Sequence, residues 1–182
     1  NRAERIDRML DAKSKFAPAD FAAMQADTLS PMARDLVPLM TAIAPPDARG
    51  RDAVARLKAW DFHMDRNRVE PLIFVAWLRA LDRALFAKKL GEAFADYWAP
   101  RPLVVRGILT RHPDWCVPDD GRPGDCAAVL VAALHAALDR LAADYGDEID
   151  RWTWGRAHVA PFPNQFWSNV PLLGRLTRFH LP

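Results

Sequence analysis

A self-contained hydrolase needs a nucleophile, a base and an oxyanion hole, and no short motif in this 182-residue chain supplies the three together. Its three serines, Ser14, Ser30 and Ser168, lie outside any G-x-S-x-G or S-x-x-K frame. Ser30 stands before Pro31, the pattern of a helix N-cap followed by a first-turn proline. G-x-x-x-x-G-K-S/T, G-x-G-x-x-G and H-E-x-x-H are absent from the sequence, so nucleotide-binding and zinc-protease readings find no support. Asp61 and Asp65 are four apart, which on a helix would put both carboxylates on one face; Arg66 and Arg68 beside them favour solvated ion pairs over metal binding or acid–base work. His135 falls inside a long Ala- and Leu-rich stretch, where a histidine is ordinarily a packed or surface group.

The densest collection of reactive and aromatic side chains is Arg151 to Trp167, with Trp152, Trp154, Phe162, Phe166 and Trp167 around Gly155 and His158. Each buried aromatic would remove roughly 150 to 250 Å² from water, more than one helix face can cover, so the helices are expected to wrap around this segment. Gly155 suits a turn or close backbone approach, and Pro161 and Pro163 force extended geometry. His158 is its one titratable group with a near-neutral pKa. On residue chemistry alone the segment reads as a structural plug.

The elements that must position these residues are helices. Residues 2–13 carry Ile6, Met9 and Leu10 at helical spacing among charges. Pro18 opens a short helix, and Ser30-Pro31 opens another expected to bend at Pro38 and run to Ala44 before Pro45-Pro46. Asp47 to Trp60 places Ala53, Val54, Leu57 and Trp60 inward, and 61–68 is a polar connection. Pro71 begins a helix apolar on most faces, expected to be central. Shorter helices follow from Gly91 and Pro102, and Asp125 to Tyr145 is the best single helix, closed by Gly146. Val159-Ala160 and residues 176–181 are the only β-like pieces. The fold class is all-α, an irregular array of short and medium helices in a single domain over residues 1–182.

Composition narrows the function classes. Basic residues exceed acidic ones by only two and alternate with them, leaving no nucleic-acid footprint. No run is read as the roughly 20 apolar residues of a membrane span, so neither nucleic acid nor membrane is an expected partner. The chain begins at Asn1 without a leader pattern, which reads as a cut piece. Cys116 and Cys126 flank a Pro- and Gly-containing loop; that spacing permits a disulfide, as in an oxidising compartment, or two free thiols, and gives no zinc-ligand pattern.

Four segments recur in a telling order: Arg2-Ala3-Glu4-Arg5-Ile6-Asp7-Arg8-Met9-Leu10, Phe21-Ala22-Ala23-Met24-Gln25-Ala26-Asp27-Thr28-Leu29-Ser30, Leu57-Lys58-Ala59-Trp60-Asp61, and Trp152-Thr153-Trp154-Gly155-Arg156-Ala157-His158. Together, over essentially the whole chain, they resemble the middle of the β chain of the penicillin acylase (penicillin amidase) family of N-terminal nucleophile hydrolases. Asp114-Trp115-Cys116 and Cys126 most resemble the aculeacin and acyl-homoserine lactone acylase branch.

The resemblance implies that this is the helical part of a larger αββα enzyme, periplasmic or secreted, made as one precursor and cut into α and β chains. It implies hydrolysis of the amide between an acyl side chain and an amine, in penicillin-, acyl-homoserine-lactone- or aculeacin-type substrates. The implied nucleophile is a serine at the new β terminus, with its own α-amine, pKa about 8, as base. An asparagine and backbone N–H groups hold the oxyanion. Nucleophile, asparagine and the carboxylates of a calcium site in the full-length enzyme are all expected upstream of Asn1, which leaves this chain inactive alone and without a cofactor of its own. The active-site residue that maps here is Arg2, whose guanidinium orients the asparagine with up to five fixed donors. His158 matches the family's W-G-x-x-H and is expected to be buried, donating to a carbonyl or carboxylate. Trp60 and Asp61 match a helix-packing motif. Implied partners are the rest of the β chain, the α chain and a small acyl amide; the chain alone is expected to self-associate through the face of its aromatic segment. A stand-alone helical interaction module is the alternative, favoured if an open reading frame starts near Asn1 rather than hundreds of codons upstream behind a signal peptide.

Overall fold

The computed structural model describes residues 2–96, 101–118, 124–162 and 179–181, and two long helices form its centre. α5 (Glu70–Leu90) has Glu70 and Pro71 in its first turn and stops at Gly91, whose φ of 54° suits a residue without a side chain. Ile73, Phe74, Trp77, Leu78, Leu81 and Leu85 of α5 are all buried, as expected of a helix apolar on most faces. α7 (Cys126–Tyr145) starts where the Asp125 carboxylate accepts from the Ala128 N–H and ends at Gly146, φ 89°. Leu130, Leu134, Ala137, Leu138 and Leu141 make its buried stripe, which packs on α5. The Trp77 indole donates to the Leu130 carbonyl across this interface, 3.0 Å, so the largest core side chain leaves no unpaired N–H.

One expectation about α7 is corrected. By its 20 residues and mean hydropathy of 1.6 it is long and apolar enough to cross a bilayer. Here that apolar surface is used on α5, while Arg140 and Asp144 pair on an exposed face.

The remaining elements are laid around the pair. α1 (Arg2–Asp11) and α2 (Pro18–Gln25) contain no buried residue. α3 (Pro31–Met40) is capped by the Ser30 hydroxyl, which accepts from the Ala33 N–H. It stops four residues earlier than expected, its last turn completed by the Thr41 N–H and hydroxyl, which both donate to the Val37 carbonyl. α4 (Ala48–Ala59), capped by Asp47, buries Ala53, Val54 and Leu57, with Trp60 buried just beyond its end. At Gly50 an added Cβ would fall 2.7 Å from Pro45 Cβ, so this glycine lets the Pro45-Pro46 turn lie on the helix. α6 (Pro102–Arg111) buries Val105 and Ile108 but leaves Leu103 and Val104 exposed. A disulfide joins Cys116 to Cys126 at the start of α7. α8 (Trp154–Ala157) leads into β1 (Ala160–Phe162), which pairs antiparallel with β2 (Phe179–Leu181) in the register Ala160 opposite Leu181.

Within the aromatic segment Trp152 is fully enclosed, its indole donating to the Gly146 carbonyl at 2.7 Å. Trp154 is half-buried, and Phe166 and Trp167 lie outside the described residues. Among the described residues, large apolar side chains are exposed at Ile6, Leu10 and Phe21 on α1 and α2, at Leu90 closing α5, and at Leu103, Val104, Trp115 and Val117 around α6 and the disulfide.

Asp82 interrupts the α5 stripe between Leu78, Leu81 and Leu85. It is 5 % exposed, and its Oδ1 has no hydrogen-bond partner. Burial pushes its carboxyl up to about 6, against the opposing charge of Arg101. A raised folded-state value means the native chain holds this proton longer than the unfolded one, so stability falls as pH rises from about 4 to about 6 and is then flat. Asp82→Asn should raise stability at pH 7 by about 3 kcal/mol and leave it unchanged near pH 3, read from urea midpoints at the two pH values.

Candidate functional site

The polar loop 61–68 is where distant segments meet. On one side it makes an antiparallel bridge with residues 28–30: the Ser30 N–H donates to the Phe62 carbonyl (2.9 Å) and the Met64 N–H to the Thr28 carbonyl (3.0 Å). On the other it receives α8. The Trp154 N–H donates to the Arg68 carbonyl and the Gly155 N–H to the Arg66 carbonyl, both at 2.8 Å. The first amides of any helix lack intrahelical acceptors, and Thr153 contributes no side-chain cap, so the loop carbonyls complete the start of α8. Phe62 adopts φ 67°, a left-handed conformation that costs a bulky residue of order 1 kcal/mol or more. Packing repays that strain: Phe62 meets the Trp60 ring edge-on at 5.6 Å, and the Trp60 indole donates to the His63 carbonyl at 3.0 Å.

Side chains tighten the junction. The Thr28 hydroxyl donates to Asp65 Oδ1 at 2.9 Å, which leaves its oxygen to accept from His63 Nδ1 at 3.0 Å and fixes the proton on that nitrogen. Hydroxyl, imidazole and carboxylate are thus together, but Asp65 contacts the hydroxyl rather than the far ring nitrogen. The set is a hydrogen-bonded clasp and not a charge-oriented nucleophile–base pair. Arg5 of α1 forks onto Asp27 with Nε to Oδ2 at 2.9 Å and a terminal nitrogen to Oδ1 at 2.7 Å. The Arg5 hydrogen bond holds the Asp27 carboxyl below the usual carboxylate range. Arg68 forks onto Glu70 in the first turn of α5; burial pushes Glu70 up, but the Arg68 hydrogen bond and nearby backbone N–H groups hold it below its ordinary value.

Asp61 and Asp65 do not occupy one helix face, since the segment is a loop, and they do not form the expected ion pairs with Arg66 and Arg68. Asp61 Oδ1 accepts from the His63 N–H, Asp65 accepts from Thr28, and Arg68 turns to Glu70. Arg2 opens α1 as an exposed side chain. His158 is exposed rather than buried, its ring 4.7 Å from that of Trp154; a four-residue α8 carries it past the core before any helix covers it. His135 is paired with Asp47, joining α7 to the cap of α4.

Sequence reasoning missed both the junction and a cleft of about 650 Å³ along α5 and α7, lined by Arg79, Asp82, Arg83, Phe94, Arg140 and Tyr145 among others. The available signal for Asp82 was an acid at a stripe position four residues from Leu78. Arg83 lies over the Phe94 ring and Arg140 pairs with Asp144, so much of the cleft's charge is already engaged.

Three of the four segments meet at this loop, and the fourth, α1, is tied beside it by the Arg5–Asp27 fork. A family model described as Penicillin amidase matches residues 1–180. The chain is 25 % identical over 197 positions to the acyl-homoserine lactone acylase QuiP of Pseudomonas aeruginosa, covering 95 % of this chain and 23 % of that protein. It is 29 % identical over 174 positions to the penicillin acylase 2 proenzyme of a Pseudomonas species, covering 93 % and 22 %. A QuiP acylase of Pseudomonas putida matches at 24 % identity over 63 % of this chain. The chain thus spans less than a quarter of the length of these relatives.

Thr28→Val should leave the His63 N–H and Asp65 unpaired at the junction and destabilise the chain by about 1 to 2 kcal/mol. Thr28→Ser should recover most of it, both measured by chemical denaturation.

Proposed function

This chain belongs to the penicillin amidase family, and on that premise we propose that it is the helical region of a longer acylase that hydrolyses the amide between an acyl group and an amine. The observation that carries the reading is the family match over residues 1–180, with acylases among the relatives. The nucleophile is an N-terminal serine from another part of the longer polypeptide. Ser30 is engaged as a helix cap, and Ser14 is exposed in a connection. Residues 1–182 supply scaffold, and their partners are the rest of the β chain, the α chain and a small acyl amide. Left alone, the chain self-associates through its bare apolar surface. The disulfide supports a periplasmic or secreted location.

Arg2 is the active-site contribution of this region. It is exposed at the first turn of α1, so its guanidinium is available to an asparagine on a neighbouring segment, which it orients to receive the oxyanion. Among the described residues no group of three or more His, Cys, Asp or Glu side chains could hold a metal ion.

The test is the complete precursor, matured and assayed against N-acyl homoserine lactones and N-acyl penicillins of graded acyl length. Amine release is expected, lost on replacing the β-terminal serine. Arg2→Ala should lower kcat by about tenfold or more with KM little changed, as for an interaction made in the transition state. A mature protein that releases amine from no N-acyl substrate would contradict the proposal.

A further inference from the structure

α1 is an unusual helix to carry an active-site residue. None of its ten residues is buried, and Ile6 and Leu10 are 43 % and 41 % exposed. A helix of that length is marginal in water without packing. Among the described residues, its one polar tie to later chain is the Arg5–Asp27 fork. This is not a loose surface pair. The Asp27 side chain is 14 % exposed and Arg5 27 %, the two hydrogen bonds are parallel, and a forked guanidinium fixes orientation as well as distance. Asp27 is itself immobilised: Thr28 is clasped by His63 and Asp65, and Leu29 bridges His63. Arg5 is three residues from Arg2, about 4.5 Å along the helix axis and roughly 60° around it. Whatever fixes Arg5 therefore fixes the direction from which Arg2 leaves the helix.

We propose that Asp27 is a positioning residue of the acylase: through the Arg5 fork it transmits the rigidity of the 28–30/61–68 junction to α1 and so aims Arg2. This rests on the reading of Arg2 given above, and deepens it by naming what holds that side chain in place. Asp27 touches neither substrate nor reacting atoms.

The experiment uses the complete matured enzyme, with active sites titrated, and compares Arg2→Ala, Asp27→Asn, their double variant, and the charge-reversed pair Arg5→Asp/Asp27→Arg. Asp27→Asn should lower kcat by about tenfold while KM moves less than about twofold, since the asparagine cannot hold both guanidinium bonds as a charged pair. The double variant should be no slower than Arg2→Ala alone, because the two changes act through one group; a merely destabilising change would multiply instead. The charge-reversed pair should recover most of kcat. If Arg2→Ala is slow while Asp27→Asn keeps wild-type kcat, or if the losses multiply, the inference is overturned and the reading of Arg2 survives. If Arg2→Ala turns over normally, that reading falls and this inference with it. Should Asp27→Asn mature poorly, the charge-reversed enzyme decides: recovered kcat supports the fork, and a folded enzyme still about tenfold slow overturns it.

Discussion

Four backbone hydrogen bonds made by the loop 61–68 organise this molecule. Two run to residues 28–30 and two to the first amides of α8, and each involves a backbone group that would otherwise lack a partner inside a partly buried joint. Helices can be packed face to face by apolar stripes alone, but stripes do not specify how three separate chain segments are registered. The loop does, because its carbonyls and amides point to two sides at once. The left-handed Phe62 is the physical cost of that geometry, held by Trp60, which also contacts Phe74 of α5.

The core and the junction divide the work. α5 and α7 provide the apolar burial, with Trp77 anchored on Leu130 and Trp152 closing one end. The junction lies at the start of α5, tied there by Arg68 and Glu70, and extends to α1 through Arg5 and Asp27. The disulfide secures the opposite start, that of α7, next to exposed Trp115 and Val117. The junction thus ties the core to α1, which like α2 buries no residue of its own and which bears Arg2. The apolar residues left uncovered on α1 and α2 are what one expects of a region within a longer polypeptide, as its relatives are.

Local rules were legible and long-range pairings were not. Ser30 reads as a helix cap and acts as one; Ala53, Val54, Leu57 and Trp60 read as inward and are buried; the two β-like pieces pair. Periodicity and capping depend on neighbours within a turn or two, so a sequence displays them directly. The failures share the opposite property. The 61–68 segment reads as a polar connection and is one, but its acids do not pair with the adjacent arginines: Asp65 accepts from Thr28 and Arg68 turns to Glu70. The W-G-x-x-H match implies a buried His158, but the four-residue α8 leaves it exposed. Family resemblance marks four segments without revealing their contacts: three are joined by backbone hydrogen bonds at the loop, and α1 by the Arg5–Asp27 side-chain fork.

That account treats the junction as one cooperative unit, and native-state hydrogen exchange of the Ser30, Met64, Trp154 and Gly155 amides addresses it directly. A single opening event predicts that all four share one exchange free energy and one denaturant dependence. Trp154 and Gly155 exchanging freely while Ser30 and Met64 remain protected would contradict it, and would reduce the loop to two unrelated contacts.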